Sequence, residues 1–173
     1  MDEFSSDALR RDFRTAEGFN DLFESFRTAL DRRIEEIDLY RELLCNTSLK
    51  SDELLFFAKR LSEVFPRLGY DTYLWLARVF ESRQPEAEGL DLAFLCLKKA
   101  SEFSPASDRP YLAACDIYSQ DLNIPALDSI VSFLRTGTEK VGDPVPICER
   151  LSVFYKMLGN DEMFQYYRPK SRR

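Results

Sequence analysis

Three prolines, Pro66, Pro105 and Pro144, divide the sequence at equal intervals of 39 residues. Proline has no amide proton to give a helix interior and its ring collides with the preceding turn, so it settles at helix ends. Stops placed at one interval predict a structural unit that repeats. Between them apolar residues recur at helical spacing, and no segment alternates over the length of a strand. The expected fold class is all-α.

From Phe19 an apolar stripe runs through Leu22, Phe23, Phe26, Leu30, Ile34, Ile37, Tyr40 and Leu44, which predicts one long amphipathic helix of about seven turns. A short helix from about Asp7 precedes it and ends at Gly18. Asn46-Thr47-Ser48 stop the long helix, because their side chains compete for backbone hydrogen bonds. Ser51 reads as the cap of the next helix, with Asp52 and Glu53 in its first turn and Pro66 with Gly69 closing it. Further helices are expected near 72–82, 88–104, 108–120, 124–135, 145–158 and 161–167. Breakers fill the connectors: Gln84-Pro85, Ser104-Pro105, Asn123-Ile124-Pro125, Gly137, Gly142-Asp143-Pro144 and Gly159-Asn160-Asp161. Short connectors force neighbouring helices antiparallel. The chain therefore reads as a single domain of stacked hairpins, with N-terminal helices and a degenerate hairpin over 1–69, three repeats over 70–167 and a basic tail over 168–173.

Inside the units a finer pattern returns: Tyr73, Leu76, Ala77, Phe80; Tyr111, Ala114, Cys115, Tyr118; Cys148, Leu151, Ser152, Tyr155. These offsets line one helix face, and the small third residue lets a partner helix approach closely. Ala93, Leu97, Ala100 and Pro105 continue the pattern in a second helix, and Leu158-Gly159-Asn160 forms the turn of the last unit. The set resembles the tetratricopeptide repeat (TPR), clearly over about 70–167 and weakly before it through Leu54, Ala58, Leu61 and Pro66. The match is degenerate: extra residues stand around Arg83-Gln84-Pro85-Glu86, and Leu127, Val131 and Leu134 occupy positions where small residues are usual. The resemblance implies a short right-handed solenoid. An irregular helical bundle with chance spacing is the competing reading.

Composition removes several functions. The chain has no histidine among its 173 residues, which excludes histidine triads, histidine-ligated metals and histidine proton shuttles. Its net charge of -6 gives no field to hold nucleic acid or anionic lipid, so nucleic acid is disfavoured as a partner. The first residues lack the form of a signal peptide and no stretch suits a membrane span, which points to the cytoplasm. Cys45, Cys96, Cys115 and Cys148 are far apart in apolar stretches and read as buried free thiols. The carboxylates Glu35, Glu36, Asp38 and Glu42 lie beside Arg32, Arg33 and Arg41 as a solvated, ion-paired face. Thr136-Gly137-Thr138-Glu139-Lys140 lacks the form of a phosphate loop and reads as a turn. No catalytic residue, metal ligand or cofactor site emerges.

The TPR resemblance implies a concave groove lined by the first helix of each hairpin. The positions facing it are Asp71, Leu74, Arg78 and Glu81; then Arg109, Leu112, Asp116 and Ser119; then Glu149, Val153 and Lys156, with Arg150 beside them and Trp75 as a further anchor. Some family members clamp a terminal carboxylate with lysines, an arginine and asparagines, but here Leu74 and Arg78 replace a lysine and an asparagine. An extended or helical protein segment with apolar anchors is the expected ligand. The chain is thus read as a non-enzymatic interaction adaptor or scaffold. Its size and layout are also similar to the class II chaperones of bacterial type III secretion, and a regulatory subunit of a larger complex is a third reading. The last hairpin is expected to need cover, from the amino-terminal helices folding back, from a homodimer through the terminal helices or from a partner. The helix carrying Phe19, Phe23 and Phe26 is expected to pack on the first repeat, with a dimerising arm as the alternative.

Overall fold

The computed structural model describes residues 3–83 and 87–170, and these residues form an all-helical protein. In chain order the helices are α1 (Glu3–Thr15), α2 (Phe19–Asp31), α3 (Ile37–Cys45), α4 (Ser51–Val64), α5 (Pro66–Arg83), α6 (Ala87–Phe103), α7 (Arg109–Asp116), α8 (Leu127–Lys140), α9 (Val145–Met157) and α10 (Asp161–Tyr167). The expected connector at Gln84-Pro85 and the last three residues of the basic tail lie outside the described residues. Among the described residues no helix is long and apolar enough to cross a membrane.

Consecutive helices pair as hairpins, and the hairpins stack in two layers. In one layer α1 meets α3, α3 meets α5, and α7 meets α9; in the other α2 meets α4, and α6 reaches α8 through an edge-to-face contact of Phe94 with Phe133 at 5.6 Å. The three evenly spaced prolines all fall where the chain leaves one hairpin for the next. Pro66 is the first residue of α5, Pro105 follows α6, and Pro144 precedes α9. A residue whose missing amide proton costs nothing at a first helical position suits that junction.

The inward faces follow the sequence pattern. Tyr73, Leu76, Ala77 and Phe80 of α5 are buried, as are Tyr111, Ala114 and Cys115 of α7 and Cys148, Leu151, Ser152 and Tyr155 of α9; Tyr118, expected on the same face, lies past the end of α7 and is only half buried. Ala93, Leu97 and Ala100 of α6 and Leu127, Val131 and Leu134 of α8 complete the core from the other layer. Each large apolar side chain taken fully out of water contributes about 1.5–3 kcal/mol.

The stripe from Phe19 to Leu44 is not one helix. It breaks between α2 and α3, where the Arg33 and Ile34 amides donate back to the carbonyls of Leu30 and Ala29 at 3.0 and 3.1 Å. That pattern closes a helix with its penultimate residue in the left-handed region, and Arg33 takes it with φ of 55°. No glycine marks the site, so the periodicity runs straight through it. The Tyr40 hydroxyl donates to the Ile34 carbonyl at 2.6 Å and holds the bend. The two halves fold back so that α1 packs on α3 and α2 on α4.

Other helix boundaries differ from expectation by a few residues. Pro66 and Gly69 begin a helix rather than closing one. Gly69 is buried within α5 because the ring of Phe103 lies over it: a Cβ there would stand 2.5 Å from Phe103 Cε1. Gly137 is not a connector but part of α8. The helix expected to reach residue 120 ends at Asp116, since Ser119 and Ile124 pair their backbones in an isolated bridge and shape 117–126 as a loop. Ser51 is the first residue of α4 rather than its cap, and the Glu53 carboxylate accepts from the Lys50 amide at 2.7 Å. Of the four cysteines, Cys96, Cys115 and Cys148 are buried, but Cys45, the last residue of α3, is exposed.

The amino-terminal hairpin is tied down by a buried amide. Asn46 Nδ2 donates to the carbonyls of Phe13 and Ala16 at 2.8 and 2.9 Å, and its Oδ1 accepts from the Ser48 amide and hydroxyl. One side chain thus satisfies the open end of α1 and the turn into α4 together. Of the expected ion-paired face, Asp38 pairs with Arg41 within α3 at 2.6 Å. Glu36, just before α3, and Glu42 instead reach across to α1, meeting Arg10 at 3.1 Å and Arg14 at 2.5 Å rather than Arg32 or Arg33.

Candidate interaction groove

On α5 the buried stripe leaves Leu74, Arg78 and Glu81 on an adjoining face, at helical spacings of four and three. On α7 Arg109, Ala113 and Asp116 repeat those spacings. Between the two stripes lies a depression of about 260 Å³ whose floor is completed by Ala77, Leu97 and Ile117. Five of the residues expected in a groove therefore line one cavity: Leu74, Arg78, Glu81, Arg109 and Asp116. The sequence reading missed Ala77, Leu97, Ala113 and Ile117 there. Ala77 was recognisable only as a packing residue, and one alanine side can serve both roles where helices approach closely.

From α9, Arg150 reaches α7 and pairs with Asp116 at 3.3 Å. Both partners are at least half exposed, so the pair adds little stability, about 0.2–1 kcal/mol at most. The rim carries both signs, with Arg78, Glu81, Arg109 and Asp116 on the cavity and Arg150 joined to it through Asp116. Glu149 and Val153 are exposed on α9, and Lys156 turns towards α10, its ammonium 6.0 Å from the Phe164 ring. Asp71 and Leu112 are half buried outside the cavity, and Ser119 lies beyond α7 in the bridge with Ile124. Trp75 points elsewhere: it faces α3, where the Arg41 guanidinium lies 4.9 Å over its ring.

Cys115, on the buried side of α7, is held as a neutral thiol. Burial pushes it up to about 12, and its Sγ donates to the Tyr111 carbonyl at 3.4 Å. A thiol so raised is a core residue rather than a nucleophile. Among the described residues no cluster of three or more histidine, cysteine, aspartate or glutamate side chains is arranged to hold a metal ion. What the groove presents is a small apolar floor between fixed charges, an arrangement suited to recognition of a side chain or short segment.

Fold and groove together define a stack of antiparallel helical hairpins with a lined depression between adjacent hairpins. No family model matches the chain, and no curated protein matches it. Among solved structures it is similar to TTC0263, a thermophilic TPR protein of Thermus thermophilus, at 19% identity and a TM-score of 0.48, over 88% of this chain and 81% of that one.

Proposed function

We propose that this chain is a TPR-like, non-enzymatic adaptor that takes a segment of a partner protein in the groove formed by α5, α7 and α9. The observation that carries the reading is the convergence of Leu74, Arg78, Glu81, Arg109 and Asp116 on one depression, from two helices whose other faces are buried in the core. An apolar floor of Leu74, Ala77, Ala113 and Ile117 accepts an aliphatic or aromatic anchor. The alternating rim selects the flanking charges, setting register and association rate more than affinity. The groove needs no cofactor for this. All four cysteines are unpaired, which favours work in a reducing compartment such as the cytoplasm.

The test begins with affinity capture from the source cell and identification of bound protein by mass spectrometry. Titration calorimetry then compares the native chain with the double variant Arg78→Glu, Arg150→Glu. Both residues are exposed, so the variant keeps its fold. The affinity is expected to fall about tenfold or more, as loss of complementary charge requires. An unchanged affinity overturns the groove assignment.

A further inference from the structure

A second surface lies in the other layer, between α2 and α4, and shares no residue with the groove. Phe19, Phe23 and Phe26 of α2 meet Phe56 and Phe57 of α4: Phe26 and Phe57 stand edge to face at 4.9 Å, and Phe23 lies 6.1 Å from Phe56. Below these contacts the two helices leave an open cleft of about 960 Å³ floored by Phe23, Phe26, Leu30, Phe56 and Val64. Phe56 is 44% exposed there although aromatic neighbours on three sides fix its ring.

The charge around this floor is opposite to that of the chain. Arg27, Arg33, Lys59 and Arg60 line the cleft with only Asp31 and Glu63 against them, in a protein of net charge -6. Arg27 pairs with Glu24 and Arg60 with Glu63 inside their own helices. Lys59 and Arg33 have no carboxylate partner among the described residues, and Arg33 is held on the rim by the left-handed turn that ends α2. Asp31 is unpaired as well, so Lys59 and Arg33 leave one net positive charge beside an aromatic floor whose rings pack on one another.

We infer that the α2–α4 cleft binds an acidic amphipathic helix of a partner protein, with aromatic or leucine anchors seated on Phe23, Phe56 and Val64 and its carboxylates against Lys59 and Arg33. The walls decide for a helical guest. Both are helices whose backbone groups are already paired, so they offer an extended strand no main-chain partners, whereas a helix brings its own hydrogen bonds and lays its apolar face into the cleft. The rim decides for an acidic one, since a basic guest would meet uncompensated like charge. The fixed rings spare the complex part of its ordering cost.

The experiment uses the full chain and fluorescein-labelled helical peptides of about 18 residues. Leucine and phenylalanine occupy positions i, i+3, i+4 and i+7, and the flanks carry glutamate in one set and lysine in a matched set. Fluorescence anisotropy is expected to show the glutamate set binding at least about tenfold more tightly, with the preference shrinking as salt is raised. Lys59→Glu with Arg33→Glu should abolish the preference, and Phe56→Ala should weaken the glutamate set about tenfold. The groove variant Arg78→Glu, Arg150→Glu should leave this binding unchanged, which separates the cleft from the groove. All positions changed are exposed, and circular dichroism checks each fold. Absence of binding by every peptide, equal binding of both sets, or indifference to the Lys59 and Arg33 reversal overturns the assignment. So does light scattering that shows a native dimer made monomeric by Phe56→Ala, since a second copy would then own the cleft.

Discussion

Gly137 of α8 lies directly against the ring of Tyr111 of α7: a Cβ on that glycine would stand 2.8 Å from Tyr111 Cδ1 and 2.9 Å from Cγ. The ring cannot withdraw, because Tyr111 is fully buried and tilted onto Phe133 with centroids 4.6 Å apart. The missing side chain therefore sets how closely the α7–α8 hairpin closes, behind the groove that α7 helps to line.

Gly137→Ala should destabilise the protein by about 1–3 kcal/mol, as overpacking of a full core does. The gain in helix propensity, about 1 kcal/mol at most, only partly offsets it. Gly142→Ala is the matched control, since nothing lies within 4 Å of a Cβ there. Thermal unfolding followed by circular dichroism should lower the midpoint for the first change and leave it unchanged or slightly raised for the second.

Arg33 and Gly159 occupy the same place in the same motif. The Gly159 and Asn160 amides return to the carbonyls of Lys156 and Tyr155 as those of Arg33 and Ile34 return to Leu30 and Ala29, with φ of 68° and 55°. Arg33→Gly should stabilise by up to about 1 kcal/mol, and Gly159→Ala should destabilise by about 1–2 kcal/mol, because only glycine enters the left-handed region without strain. Urea midpoints should move in opposite directions with the slope unchanged.

Thiol reagents should distinguish the cysteines by fold alone. Cys45 is exposed while the other three are buried, and burial raises the Cys96 and Cys115 thiols to about 12. One thiol per chain should react rapidly with Ellman's reagent under native conditions, and all four only in denaturant. Rapid native reaction of more than one would contradict the packing of α6, α7 and α9.

Stability should be insensitive to pH near neutrality and fail on the alkaline side. No histidine is present to titrate there. The hydroxyls of Tyr40, Tyr73, Tyr111 and Tyr167 are all raised, chiefly by burial, as are the thiols of Cys96, Cys115 and Cys148. A group raised in the folded state keeps its proton after the unfolded chain has released it. Its contribution is complete below the unfolded value and is lost as pH rises. The melting temperature should fall above about pH 9 to 10, and tyrosinate absorbance at 295 nm should rise together with loss of helical signal. A melting temperature that holds to pH 11 would contradict the burial of these groups.

The inward faces and hairpin junctions were legible in the sequence because they depend on local rules. Pro66, Pro105 and Pro144 stop or start helices wherever they stand, and the offsets of Tyr73, Leu76, Ala77 and Phe80 place four side chains on one face in any helix. The groove was legible in part, since Leu74, Arg78 and Glu81 had to share the adjoining face of α5. Trp75, one residue from Leu74, was placed only by Arg41, a residue distant in sequence that draws it to α3.

The sequence by itself determined an all-helical chain, its repeating punctuation and the absence of histidine chemistry, since composition and helical periodicity act within a few residues. Tertiary structure decided the break at Arg33, the helical setting of Gly137 and the aromatic cleft between α2 and α4. Each depends on a contact between residues far apart in the chain. A left-handed arginine costs about 1–2 kcal/mol on its own and persists because α1 packs on α3 and α2 on α4. A glycine reads as a turn until the tyrosine that needs its empty space is known.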